Sequence, residues 1–219
     1  MDCLSLQEKK IEGVHARDVL TGQKLEIRAT LTIDTTGPNA GKITATLGTP
    51  HRPVLQKALN VVTTRPMQDP SLGVSGPDGG FFLLISWLER AMLGTWHLPK
   101  PADPADTSVS EEELSGFLSH ANKSFPGLHL GLNEISLVHH GLVPAQRHQD
   151  GHVTQTPTPR ILDHSLEGTT GAISVFGVKY TTARGVAEQV INLASRKLGN
   201  PTQPSRTGTT ILPGASLLD

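Results

Sequence analysis

Only two stretches of this 219-residue sequence space their apolar residues with a helical period, and the rest breaks into short runs punctuated by glycine and proline. The first helical stretch opens at Ser110, with Glu113 three residues on in the pattern of a capping box. Leu114, Phe117, Leu118 and Ala121 then recur on one face, and Pro126-Gly127 stops it. The second runs from about Thr182 to Leu198, with Val186, Val190, Leu193, Ala194 and Leu198 as its apolar face. Arg196 and Lys197 complement the dipole of its last turn, Gly199 suits the C′ position, and Pro201 lies just beyond. Sixteen prolines and 22 glycines make the remainder rich in turns.

Between these helices the sequence reads as strands. Residues 11 to 34 suit a β-meander: an alternating run through Val14, Ala16 and Asp18, a turn at Thr21-Gly22, a second strand from Lys24 to Arg28, and a third run through Leu31 and Ile33. Thr35-Thr36-Gly37-Pro38-Asn39 is a loop signal. Residues 59 to 65 form a strand, Pro66 to Gly80 a loop, and Phe81 to Ile85 a dense apolar strand partnered by Ala91 to Trp96. Residues 98 to 109 read as a Pro-rich surface connection and Gln146 to Pro159 as an irregular polar loop. Ile135 to Val138 and Ala172 to Phe176 are further strands, and the Pro/Thr/Gly/Ser-rich tail from Asn200 to Asp219 reads as poorly ordered. The expected class is α+β, with a mostly antiparallel sheet carrying one long helix.

Composition excludes several function classes. Nineteen Lys+Arg against twenty Asp+Glu give a formal charge of −1, without the basic face a nucleic-acid binder needs. The single Cys3 reads as an inert thiol and rules out a disulfide framework or a multi-cysteine zinc site. The opening residues show no signal-peptide pattern, and the longest apolar run, Phe81 to Ile85, is far short of a ~20-residue membrane span. A cytoplasmic location is the default. His148 and His152 have i, i+4 spacing, but Gly151 and the polar residues around them oppose a helix. No cysteine or well-spaced carboxylate completes a ligand set with them, with His139-His140 or with His164, so no metal is expected. Trp87 and Trp96 read as sheet packing, and Arg184 and Glu188 as a pair one helical turn apart.

The segment that could carry chemistry is Gly177-Val178-Lys179-Tyr180-Thr181-Thr182-Ala183-Arg184. An apolar strand enters a glycine, then a threonine-containing loop, then a helix. Such a junction turns unpaired backbone N–H groups and a positive dipole end toward whatever lies above it. Lys179 adds a full charge, so anions, carbonyl oxygens and electron-rich rings are natural guests. The same residues also suit a helix simply capped by Thr181 or Thr182, with Lys179 solvated. Thr36-Gly37-Pro38 is a second candidate, since glycine admits close backbone approach, although such turns are common without a site.

In order along the chain, several segments resemble FAD-dependent glycerol-3-phosphate dehydrogenases and, more broadly, the D-amino-acid-oxidase-like flavoproteins. Val14 to Gly22 resembles the meander of the FAD domain, and Thr32 to Asn39 the strand ending in an Ala-Thr-Gly-Pro-Trp-type motif. Leu59 to Thr63, Phe81 to Trp87 and Leu93-Gly94-Thr95 resemble the substrate-domain sheet, and Val109 to Phe125 its long helix. Gly141 to Pro144 resembles a Gly-Leu/Val-Arg-Pro strand near the substrate. Gly171 to Glu188 resembles the most specific signature, Gly-Gly-Lys-x-Thr-Thr-x-Arg-x-x-Ala-Glu.

The resemblance implies hydride transfer from a 2-hydroxy substrate, such as glycerol 3-phosphate, to flavin, with electrons passed on to a quinone-type acceptor and peripheral contact at the inner membrane. It implies that Thr36, Gly37, Gly177, Val178, Lys179, Tyr180, Thr181 and Thr182 line FAD, and that Lys179 and the Val143 position face substrate. It assigns no catalytic residue. It divides the chain into FAD-domain remnants at 1–40 and 171–200, a substrate domain at 41–170 and a tail at 201–219, with the two remnants meeting in space. Departures accompany it. No Gly-x-Gly-x-x-Gly unit is present, so an incomplete chain with a partner carrying the nucleotide-binding half is expected. Val178 replaces a glycine and restricts backbone approach, Val143 replaces an arginine, and Asn39 replaces a tryptophan. The alternatives are a non-catalytic remnant or binding module, or an amine or 2-hydroxy-acid oxidoreductase of the same superfamily.

Overall fold

The computed structural model describes residues 3–46, 53–68, 70–201, 203–211 and 213–215. The chain divides into two compact units, one made of Met1–Arg52 with Pro157–Asp219 and the other of Pro53–Thr156. The expected α+β class with mostly antiparallel sheets is borne out.

In the first unit, β1 (Cys3–Gln7), β2 (Lys10–Arg17) and β3 (Lys24–Arg28) form an antiparallel meander in that order. β4 (Thr32–Asp34) leaves it, a correction to the sequence reading of 11 to 34 as one meander. The physical reason is where its apolar residues go. Leu31 and Ile33 pack with Ile173, Val175, Val186 and Val190, away from the meander. β4 instead runs parallel to β12 (Ala172–Phe176), whose other side takes β11 (Arg160–Asp163) antiparallel. All five residues of β12 are buried, as a central strand covered on both faces requires. The segments at 32–34 and 172–176, far apart in sequence, are therefore direct neighbours. A short helix α1 (Ala40–Ala45) follows β4. The long helix of this unit, Ala183–Lys197, buries Val186, Val190 and Ala194. Along it, Arg184 pairs with Glu188 at 3.2 Å. The tail does not hang free in its described part: the Arg184 guanidinium also reaches Thr207 Oγ1 at 3.4 Å, and Gln203, Ser205 and Arg206 border a hollow on the same helix.

The second unit is a six-stranded antiparallel sheet. It contains β5 (Val54–Pro66), β6 (Leu72–Ser75), β7 (Phe81–Trp87), β8 (Arg90–Ala102), β9 (Ile135–Arg147) and β10 (Val153–Gln155), in the order β10-β9-β5-β8-β7-β6. Helix α2 (Glu111–Ser124) packs Phe117, Leu118 and Ala121 onto Leu59, Val61, Phe82 and Leu93. Its capping box is present: Ser110 Oγ accepts from the Glu113 N–H, and the Glu113 carboxylate accepts from the Ser110 N–H. Trp96 meets Phe117 edge-on and Trp87 meets His139 likewise, so both tryptophans pack within the unit.

Two sequence expectations fail here. Residues 98–102 belong to β8, although Pro99 and Pro101 argued for a connection. β7 pairs only as far as Gly94, so this end of β8 has a free edge, and a bulge separates its Gln56 and Ala58 partners. Proline is tolerated at such positions because no ladder N–H is needed. The polar stretch after Gln146 contains a hairpin, β9–β10, turning through Asp150-Gly151 with Gly151 at φ +88°.

Candidate functional site

The first unit places several of the sequence-selected residues around one groove. Parallel β4 and β12 both end here, and each leads through a glycine into a helical turn. The resulting hollow, of about 540 Å³, is lined by Ile33, Thr35, Gly37, Gly177, Lys179 and, along the helix Ala183–Lys197 (now α3), apolar side chains including Val186 and Val190. Ligand crevices lie at such carboxyl ends of parallel strands.

The glycines suit a close approach. Gly37 sits at φ +60°, and neither it nor Gly177 has a heavy atom within 4 Å of where a Cβ would stand. Their backbones are open to the hollow. Val178 does not obstruct it: its side chain is 8% exposed and points into the fold, correcting the expected restriction. Lys179, Tyr180, Thr181 and Thr182 are exposed. A 3-10 turn, Tyr180–Thr182, precedes α3, and its geometry leaves the Tyr180 and Thr181 N–H groups without an intrahelical acceptor. Thr182 makes no side-chain cap and instead donates its hydroxyl to the Lys179 carbonyl at 2.9 Å. The simple threonine-cap reading is therefore not what this side chain does. The mouth of α3 offers N–H groups, a dipole end and one ammonium beside an apolar wall. This combination suits a flat, partly anionic heterocycle.

Behind this rim is a polar network that the sequence reading did not single out. Asp34 accepts from the Thr36 N–H at 3.0 Å and the Thr36 hydroxyl at 2.7 Å. On its other oxygen it accepts from Ser174 Oγ at 3.4 Å, and Ser174 Oγ lies 2.9 Å from His164 Nε2. Asp34, Ser174 and His164 are all buried. An Asp two residues before a Thr at a strand end is the signal of an Asx turn, and it was there to be read.

Val143 lies in the second unit, on β9, and borders a cavity of about 430 Å³ with Asn60, Thr95, His97, His139 and His140. Thr95 donates to Asn60 Oδ1 at 3.0 Å. A neighbouring cavity of about 490 Å³ shares Thr95 and His97 and adds Asp78 and His120. Burial lowers the pKa of His97 and of His120, against the opposing charge of Asp78. Burial therefore favours the neutral form of both rings. Asn60, Thr95 and His97 carried no motif of their own; only their shared sheet face brings them together. Among the described residues, no group of three His, Cys, Asp or Glu is placed to hold a metal ion. His148 and His152 stack at 4.3 Å, with His148 bonded to Thr154 and His152 to Asp150. The side chain of Cys3 lies outside the described residues.

Comparison with known proteins agrees with the resemblance seen in the sequence. No model of a known protein family matches the chain. A glycerol-3-phosphate dehydrogenase of Synechocystis sp. is 26% identical over 224 residues, 94% of this chain and 40% of the relative. An alpha-glycerophosphate oxidase of Streptococcus pyogenes is 31% identical over 150 residues, 65% of this chain and 24% of the relative. The structure of the glycerol-3-phosphate dehydrogenase from Bacillus halodurans complexed with FAD superimposes with a TM-score of 0.74 at 21% identity, over 93% of this chain and 39% of that one. L-proline dehydrogenase from P. horikoshii superimposes with a TM-score of 0.61 at 19% identity, over 92% of this chain and 50% of that one. The chain thus spans two fifths or less of the curated relatives it matches. Among the described residues, no helix is long and apolar enough to cross a membrane.

Proposed function

We propose that this chain is part of an FAD-dependent oxidoreductase of the glycerol-3-phosphate dehydrogenase type. The observation that carries the reading is the groove at the ends of β4 and β12. There, two open glycines, the N–H groups at the mouth of α3 and the Lys179 ammonium stand beside an apolar wall. The names of the relatives that span most of the chain point the same way and favour it over a non-catalytic remnant.

When bound, FAD supplies a hydride acceptor for a substrate carbon that bears a hydroxyl group. The chain's own residues do the rest. Gly37 and Gly177 admit the ring system, with Thr36 on the entering turn. The backbone N–H groups of Tyr180 and Thr181, beside the Lys179 ammonium, would stabilise negative charge on it. The donors are fixed by the fold, so little reorganisation accompanies that charge. Lys179 also serves as the contact for an anionic substrate. In the second unit, the cavity at Val143 offers Asn60, Thr95 and neutral His97 to hydroxyl groups. Glycerol 3-phosphate is the substrate we favour. A quinone-type acceptor takes the electrons onward, and a cytoplasmic protein touching the inner membrane peripherally would meet it there. A partner chain carrying a nucleotide-binding half would complete the grip on the ADP portion.

The test is an FAD titration of the purified chain, followed by visible absorption and flavin fluorescence. Saturable binding with a shifted flavin band is expected, weakened severalfold in Lys179→Ala. A folded sample that leaves the flavin spectrum unchanged at every concentration sinks the reading for this chain.

A further inference from the structure

We propose that His164 is a positioning residue for the Thr36–Gly37 turn, acting through Ser174 and Asp34 to set the glycine rim of the groove. The proposal rests on the flavin reading for what the rim holds, but the relay itself stands on geometry.

The donor count fixes the direction of the relay. Ser174 has one hydroxyl hydrogen, and ionised Asp34 can only accept. Ser174 therefore donates to Asp34 Oδ2, and its own oxygen accepts from His164 Nε2–H. This assigns the Nε2-protonated imidazole, with Nδ1 facing Glu167 Oε2 at 3.8 Å. Asp34 Oδ1 is then free for both Thr36 donors. One continuous line runs from the 3-10 turn that holds His164, through β12, into β4 and out to the turn that lines the groove.

The trio is not a nucleophilic site. In a hydrolytic triad the imidazole lies between carboxylate and hydroxyl, whereas here the hydroxyl lies between. His164, Ser174 and Asp34 are 0%, 2% and 3% exposed, so no substrate reaches them. A chain of buried hydrogen bonds instead suits fixing a backbone. Toward the groove it ends at the exposed Thr36, which immediately precedes Gly37 at φ +60°.

The experiment uses the full chain, labelled with ¹⁵N, in its wild-type form and as Ser174→Ala, His164→Leu and His164→Gln. The Thr36 and Gly37 amide resonances should move in Ser174→Ala and His164→Leu, with the meander β2–β3 unchanged. His164→Gln, whose amide can donate to Ser174, should restore them. General loosening of the unit would spread the shifts and would not be rescued by Gln. Thr36→Ala, on the exposed end, reads the relay backwards should a buried variant fail to fold: the His164 imidazole ¹⁵N signals should then shift. Unmoved Thr36 and Gly37 amides in folded variants, or unmoved imidazole signals in Thr36→Ala, overturn the proposal. An FAD titration separates the two readings. Wild type that binds while Ser174→Ala binds about tenfold more weakly supports both. Wild type and Ser174→Ala binding equally tightly keeps the flavin reading and sinks this one. No binding by wild type sinks the flavin reading, and the amide shifts alone then decide the relay.

Discussion

Ser174 on β12 donates a hydrogen bond to Asp34 on β4 across 140 residues of sequence. The parallel ladder between the two strands is only three residue pairs long, from Thr32 with Ala172 to Asp34 with Ser174. So short a ladder holds its register weakly by backbone bonds alone. The buried polar contact adds a pairing that only one register satisfies, and it does so where both strands enter the groove.

A second buried polar group makes an independent demand on the other unit. Lys57 is 2% exposed on β5 and lies 2.9 Å from Glu113 and 2.7 Å from Asp106. Its ammonium also donates to the Ser108 carbonyl at 2.7 Å, tying the start of α2 to the sheet. Lys57→Met leaves the Glu113 carboxylate buried beside a methyl group, and breaking such a pair costs ~3–5 kcal/mol. Urea unfolding should show that loss, and the double variant Lys57→Met/Glu113→Gln should recover most of it. A double variant as unstable as the single one would show that the lysine matters through packing alone.

The same cluster sets a pH window. Burial raises the Glu113 pKa, but the Lys57 hydrogen bond and charge outweigh it and leave the carboxyl below its ordinary range. Hydrogen bonds from Lys57 and Ser108 hold Asp106 low as well. For depressed carboxyls the stabilisation is complete above the unfolded pKa, about 4, and is lost as pH falls through the folded value. Burial pulls Lys57 down, but Asp106 and Glu113 more than offset this and raise it, so its share is present below the unfolded pKa, about 10.4, and lost only at higher pH. Melting temperature should therefore be flat from about pH 5 to 9 as far as this cluster is concerned. Glu113→Gln should flatten the acid fall; an unchanged acid limb in that variant would remove the cluster as its cause.

Two hairpins turn on residues whose chemistry does not favour a turn of this hand. Gln7 pairs with Lys10 around Glu8-Lys9, and Trp87 with Arg90 around Leu88-Glu89. All four turn residues have positive φ, between 45° and 65°. Two-residue turns of this hand favour Asn-Gly, and side chains there are strained. Leu88→Asn/Glu89→Gly should raise stability by about 1 kcal/mol, seen as a higher urea midpoint at unchanged slope. A neutral or negative result would mean that the exposed Leu88 makes an uncounted contact.

These turns show how legibility failed and where it held. The strand that follows Leu88-Glu89 was found because Ala91 to Trp96 is apolar; β1 was missed because nothing between it and β2 marked a turn. The α2 cap was readable because Ser110 and Glu113 interact locally. The junction Gly177 to Thr182 was readable because strand, glycine and helix follow one another in sequence. The relay through Asp34, Ser174 and His164 was not, since it joins three elements that only the fold brings together. Pro99 misled because an edge position in β8 removed the penalty that proline carries in a central strand.

Glycines separate into two kinds, and substitution tells them apart. At Gly94, φ is +146° and a Cβ would stand 2.1 Å from Asn60 Oδ1. Gly94→Ala should cost about 2–4 kcal/mol through strain and displacement of Asn60. Gly177→Ala meets nothing within 4 Å and should leave the melting curve within about 0.5 kcal/mol. If Gly177→Ala nevertheless weakens FAD binding, the open backbone faces the cofactor. Equal binding would place the cofactor away from it.

Val143 offers a gain of function as a test of the substrate reading. It borders a cavity whose lining includes Asn60, Thr95, His97, His139 and His140 but no lysine or arginine. Hydroxyl groups find partners there, whereas a phosphate finds no lysine or arginine in this lining. Val143→Arg would bring a guanidinium to the cavity edge from β9, where the side chain is half-buried. A bidentate Arg–phosphate contact is strong and salt-sensitive. Binding of glycerol 3-phosphate and of glycerol can be followed by the amide shifts of Asn60, Thr95 and His97. In low salt, Val143→Arg should tighten the phosphate ester about tenfold and glycerol hardly at all, with the gain fading as salt rises. Equal effects on the two compounds would mean that the phosphate does not reach this cavity. The position on β9 would then govern packing, and Lys179 would be left as the sole anion contact in the reading.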